Sequence, residues 1–213
     1  MKFSKTVEMI NTVKKFLKLG LVSLLTNIMN YFDKFLIYPM FGATSVAAYY
    51  AVNSMTKITS LITNPMSSVI LSWVSNTKGE ESKKKIIKMT ILANIPVIFF
   101  VAILTAPLTY IALRILYNQY LLEALILIIP ISIASGFGTA VTLIKSILLK
   151  FSNTNKLVIS YVIYMIIFMI CGYTFSKNNG LMGFALANLI SKVILWISFV
   201  ILLTRTKEEE KDS

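Results

Sequence analysis

Four lysines, Lys34, Lys57, Lys145 and Lys192, stand inside long apolar runs. A charge in hydrocarbon costs at least ~2.5–3.5 kcal/mol on insertion scales, so it ordinarily faces protein or water and marks a path for an ion or substrate. Depth separates these residues. Lys57 and Lys192 each lie more than ten residues into their runs, roughly 18 Å deep at 1.5 Å per residue. Both are therefore expected near a bilayer midplane. Lys145 stands close to the end of its run and is expected to snorkel to the surface. Lys34 and Glu123 fall near the opposite surface, where a charge costs less.

Polar neighbours recur at helical spacing around these charges. Tyr49, Asn53, Lys57, Ser60 and Asn64 share one helix face. Ser23, Asn27, Asn30 and Lys34 form a second such face, with Asp33 beside it. Ser135, Thr139, Thr142 and Ser146 form a third. Three helices with one wet face each imply a hydrated cavity. The alternative is hydrogen bonding between helices, worth ~0.6 kcal/mol per contact on average. For the serines and threonines that alternative is the expectation. For Lys57 the cavity is the expectation, and Lys192 suits either. The candidate cavity residues are Asn27, Asn30, Asp33, Asn53, Lys57, Asn64 and Lys192. Asp33 and Lys57 are expected at similar depth, as a direct or water-bridged pair.

Other chemistry is missing from the sequence. The chain has no histidine, which removes Ser-His-Asp and Cys-His nucleophilic systems and most transition-metal sites. It has no P-loop sequence for ATP hydrolysis. Of nine acidic residues only Asp33 and Glu123 approach the apolar runs. The chain is not expected to be an enzyme or to hold a cofactor or metal. The single Cys171 is expected as packing filler.

The elements that must position these residues are membrane helices. The chain is 56% hydrophobic and 14% charged, with a mean hydropathy of +0.76. Apolar runs cover residues 16–41, 45–76, 89–113, 121–150, 157–175 and 181–203, and ~20 apolar residues suffice to cross a bilayer. The expected fold is an all-α, six-helix transmembrane bundle over 16–203. A cytoplasmic amphipathic segment (1–15) precedes it, and a charged cytoplasmic tail (204–213) follows. Most of the 21 lysines and arginines fall on alternate connections, whereas the opposite ones hold only Arg114 and Lys177. That asymmetry places both termini in the cytoplasm. The expected location is the cytoplasmic membrane, multi-pass. The net charge of +12 meets anionic headgroups rather than nucleic acid, because the lysines lie beside the membrane. The first run is too long for a signal peptide and contains Asp33-Lys34.

The stretch from Asn30 through Asp33 to Gly42, the segment Val46-Ala-Ala-Tyr-Tyr-Ala-Val52 and the segment Pro65-Met-Ser-Ser-Val69 carry a further signal. So does Gly180-Leu-Met-Gly183-Phe-Ala185-Leu-Ala187. Together they resemble the C-terminal lobe of polysaccharide flippases of the multidrug/oligosaccharidyl-lipid/polysaccharide exporter superfamily. The resemblance covers roughly residues 14–203. Tyr38-Pro39 departs from it, standing where the family has a small, glycine-containing segment. The chain also supplies one lobe where the family has two. The resemblance implies a flippase lobe that moves lipid-linked oligosaccharide by alternating access with a second lobe, for lipopolysaccharide or capsule export. That second lobe is expected to be a separate N-terminal-lobe chain or another copy of this one. A non-transporting orphan lobe or scaffold, and a drug exporter of the same superfamily, are the competing expectations.

Overall fold

The computed structural model describes residues 2–76, 80–151 and 154–205, with side chains described for part of them only. Four α-helices follow one another: α1 (Lys2–Asn76), α2 (Glu80–Leu116), α3 (Leu121–Phe151) and α4 (Thr154–Arg205). A single 3-10 turn, Asn118–Tyr120, joins α2 to α3. All five prolines lie inside helices.

The expectation of six separate spanning helices is corrected. Among the described residues three helices are long and apolar enough to cross a membrane: Lys85–Leu116, Asn118–Leu149 and Thr154–Arg205. That composition suggests a multi-pass membrane protein. Runs 16–41 and 45–76 fall together in α1, which is not one of the three. Side chains of α1 are described for part of its length only. Runs 157–175 and 181–203 fall together in α4. The physical reason is that the expected loops are replaced by one- or two-residue breaks. Gly42 has φ 78° in α1, and Asn179–Gly180 interrupt α4 with φ 58° at Gly180. Only glycine takes up that backbone region without a Cβ clash.

Contacts across each break give its geometry. In α4, Ser160 Oγ and Ser198 Oγ share a hydrogen bond at 3.0 Å. The rings of Tyr161 and Phe199 meet edge-on at 5.5 Å, and those of Phe168 and Phe184 at 5.3 Å. Partners therefore move toward the break together, as in an antiparallel hairpin. Gly183 lies directly against the Phe175 backbone beside that break. At 52 residues an unbroken α4 would run about 78 Å, more than twice the ~30 Å hydrocarbon core. In α1, Asn53 Nδ2 donates to Asp33 Oδ2 at 3.1 Å, so that helix also folds back, at Gly42.

Two buried clusters mark the two ends of the bundle. One gathers Ile86 and Ile87 of α2, Ile144, Ile147 and Leu148 of α3, and Leu157 and Leu203 of α4. The other gathers Ile37 and Val52 of α1, Leu113 of α2, Ala124 and Leu127 of α3, and Phe184 of α4. Lys85, Lys88, Lys156 and Arg205 flank the first cluster in sequence, and Arg114, Glu123 and Lys177 lie nearer the second. The sequence-derived split of positive charge is thus a split between the ends of the folded bundle. The amphipathic segment at 1–15 continues into α1 without a break, but most of its side chains lie outside the described residues. Residues 80–88, between the apolar runs 45–76 and 89–113, already belong to α2, which begins at Glu80. Most of the expected tail lies outside the described residues.

Candidate functional site

A cavity of about 730 Å³ opens between α1, α3 and both halves of α4. Asn27, Asp33, Asn53, Lys57 and Lys192 line it, so five of the seven candidate residues meet in one place. The side chains of the other two, Asn30 and Asn64, lie outside the described residues. Residues far apart along the chain reach the cavity because α1 and α4 each present two antiparallel halves.

Asp33 is the acidic residue of the lining. Its side chain is only 4% exposed, and it accepts the hydrogen bond from Asn53 described above. Asn53 in turn accepts from Thr56 Oγ1, through its backbone carbonyl at 2.7 Å and its side-chain oxygen at 3.3 Å. Lys57, expected as the partner of Asp33, stands one turn beyond Asn53. Its Nζ faces the rings of Tyr31 and Tyr50, at 5.5 and 5.4 Å from their centroids. A ring face attracts an ammonium by ~0.5–2 kcal/mol, more as water is excluded. Two rings thus help to hold a charge that hydrocarbon would reject.

Lys192 extends across the cavity to α3. Its Nζ lies against Gly138, 3.6 Å from where a Cβ would stand. Lys145 corrects its expectation of snorkelling to the surface. It lines the cavity, with its Nζ 5.4 Å from the Tyr161 ring. The physical reason is that α3 turns this face toward α4, where the Tyr161 ring offers the ammonium an aromatic partner. Ser135, Thr139 and Thr142 also line the cavity, on the same α3 face as Lys145. Thr142 Oγ1 donates to the Gly138 carbonyl at 2.9 Å, and Ser146 Oγ donates to the Thr142 carbonyl at 3.2 Å. Those two hydroxyls bond to their own helix rather than between helices.

Several lining residues gave no signal in sequence. Asn188 donates to the Tyr49 hydroxyl at 2.8 Å, tying α4 to α1 through two buried groups. Tyr49 is wholly buried against Phe184 rather than wet, which corrects its place on the polar stripe. Tyr161, Tyr164 and Phe168 form an aromatic wall. In sequence they read as one apolar run. A period-three-to-four search for aromatic residues across 157–175 would have found them, but not which cavity they line. Gly183, Ala187 and Ser191, four residues apart on α4, are buried. Glu123 and Ser23 are exposed, and the Lys34 side chain lies outside the described residues. Among the described residues no group of histidine, cysteine, aspartate and glutamate could hold a metal ion.

The cavity can accept a ligand with an anionic group beside a polar or ring-bearing body. Three ammonium groups and one carboxylate leave its lining net positive. Its aromatic wall offers flat surfaces for sugar or lipid. No protein-family model, no curated protein and no solved structure matches the chain.

Proposed function

We propose that this protein is one lobe of a membrane transporter that moves lipid-linked oligosaccharide across the cytoplasmic membrane by alternating access. The observation that carries the reading is the charged, aromatic-walled cavity inside a bundle of apolar helices. A midplane charge is costly unless it faces water or a partner, so such a cavity marks a route for a polar cargo. In this reading each folded half of α1 and α4 crosses the bilayer, as α2 and α3 do. The basic end faces the cytoplasm. The halves of α4 are about 25 residues each, enough for a tilted crossing.

The exposed polar residues of the cavity rim support a second lobe. Asn27 and Lys57 are exposed on α1. In hydrocarbon such groups call for protein or water. A second lobe, as a separate chain or another copy, would cover them and complete the cleft. The sequence resemblance to flippases of the multidrug/oligosaccharidyl-lipid/polysaccharide exporter superfamily favours the same cargo. The absence of an ATP-hydrolysing motif points to an ion or substrate gradient as the energy source.

Reconstitution tests the reading. The protein, alone and with a candidate second lobe, is placed in liposomes carrying a fluorescent prenyl-diphosphate-linked oligosaccharide. Protein-dependent loss of protection from an added glycosidase is the expected result. Export of an organic cation instead would assign the drug-exporter reading. A preparation that folds but moves neither cargo would leave the non-transporting scaffold.

A further inference from the structure

The facing surfaces of α2 and α3 carry buried polar groups that no other group satisfies. Gly136 of α3 lies directly against the Ile98 backbone of α2. On α2, Asn94 stands four residues before Ile98 and Thr109 eleven after it, so both share the face that Ile98 presents to α3. On α3, Ser132 stands four residues before Gly136, on the face turned to α2. All three side chains are buried, none more than 2% exposed. The Asn94 amide donates to the Thr90 carbonyl at 2.7 Å. Asn94 Oδ1, Thr109 Oγ1 and Ser132 Oγ have no hydrogen-bond partner among the described residues.

An unbonded polar group in a dry interior loses its hydration without recompense. The closed seam is therefore less stable than an apolar one of the same shape. Between Asn94 and Thr109 the two backbones meet at Ile98 and Gly136 with no side chain between them. Pro96 and Pro107 stand inside α2, each two residues from an unbonded group, and each removes one hydrogen bond of the helix. So α2 has one close contact, with a weakened turn on either side of it. Its membrane-compatible part runs from Lys85 to Leu116. A crossing of ~20 residues centred there puts Ile98 near the middle and leaves Asn94 and Thr109 within about one turn of the two edges. Water from each side thus has a short way to one of them. The far face of α2, with Phe99 and Ile103, is exposed, so no described helix holds α2 from that side.

We propose that α2 rocks on α3 about the contact of Ile98 with Gly136, so that the seam opens at one end at a time. Opening at the basic end admits water to Asn94, and opening at the other end admits it to Ser132 and Thr109. The contact serves as a fulcrum because backbone on backbone cannot yield as a side-chain tip can. A lever held near its middle closes at one end as it opens at the other. Each unbonded group gains a hydrogen bond to water when its end parts, which brings the open and closed seams closer in free energy. Ser135 and Gly138, on either side of Gly136 in sequence, line the cavity. The fulcrum therefore stands on the segment of α3 that forms the cavity wall. The rocking is a property of the helix pair and stands without the transport reading, whereas its use to open the cavity to alternate sides rests on that reading.

Water entry to the seam of the full chain in nanodiscs tests the rocking. Asn94→Cys, Ser132→Cys and Thr109→Cys, one at a time in a Cys171→Ser background, are exposed to a small methanethiosulfonate reagent. Ser191→Cys is the reference, because Ser191 is equally buried but lies on α4 and donates to the Ala187 carbonyl at 2.7 Å. The three seam thiols should react about tenfold faster than the reference, since opening of the seam is local and the reference needs wider unfolding. Hydrogen exchange of the unsubstituted chain gives the same reading with no variant to fold. Amides of α2 on both sides of Ile98 should exchange faster than those of the second half of α4. A triple variant, Asn94→Leu, Thr109→Val and Ser132→Ala, should raise Tm and slow exchange in α2, because the closed seam then leaves nothing unbonded. A lower Tm in that variant would show that these groups are satisfied when the seam is closed, and would count against the rocking. Seam thiols no faster than the reference, or α2 as protected as the α4 half, would overturn it. A fast seam without transport in liposomes would sink the transport reading alone. Transport by a chain whose seam stays protected would sink the rocking alone.

Discussion

At the scale of single residues, the contact between Asn188 and Tyr49 joins two elements separated by most of the chain. Both groups are buried, at 5% and 0% exposure, so neither exchanges its bond for water. Tyr49→Phe keeps the ring against Phe184 but leaves the Asn188 amide without that acceptor. The expected cost is about 1 kcal/mol, read as a lower Tm in mild detergent. A Tm equal to wild type would show that Asn188 finds another acceptor. Asp33 acts differently, because its carboxylate brings charge as well as a bond. Asp33→Asn keeps an oxygen that can accept from Asn53 but removes the negative charge beside Lys192. Transport should fall much further in Asp33→Asn than in Glu123→Gln, because Glu123 is exposed and outside the cavity lining. Equal activity of the two variants would take Asp33 out of the mechanism.

At the scale of elements, close approach and sharp reversal depend on glycine. Gly136 of α3 faces the Ile98 backbone of α2 so closely that a Cβ would collide with the Ile98 carbonyl. Backbone cannot move aside as a side-chain tip can. Gly136→Val should separate the two helices and cost about 2–3 kcal/mol, seen as lower folded yield and Tm. A milder penalty is expected at the α4 reversal. Gly180 is open to added volume but holds φ 58°, so Gly180→Ala should cost about 1 kcal/mol. Unchanged stability in both variants would mean that the hairpin and the α2–α3 contact tolerate another path. The helices themselves were legible from apolar run length. The reversals were harder to read, because Gly42 and Asn179–Gly180 interrupt their helices for only one or two residues.

At the scale of the whole molecule, charge separates the two ends. Lys85 and Asn178 are exposed at opposite ends of the bundle. Cysteines at these positions, in a Cys171→Ser background, give a direct reading of sidedness. An impermeant thiol reagent added to intact cells should label position 178 and spare position 85. The reverse pattern would invert the orientation, and labelling of both would refute an insertion in which the bundle's two ends face opposite sides of the membrane.

Composition and spacing by themselves determined the helical class, the membrane-compatible length of the runs and the polar faces bearing Asn27, Asp33, Asn53 and Lys57. These are local properties: a helix of given sequence carries its stripe wherever it packs. Which stripes meet is a matter of tertiary structure. The folding back of α1 and α4 brought Lys192, Asn188 and the aromatic wall to the same cavity as Asp33. It also withdrew Tyr49 into the core and turned Lys145 inward to Tyr161. None of this could be read from periodicity, because the pairing of two faces depends on where a helix reverses and on which neighbour lies close enough to cover it. Two glycines in a left-handed backbone conformation, at Gly42 and Gly180, made those reversals possible, and contacts across the bundle decided the partners.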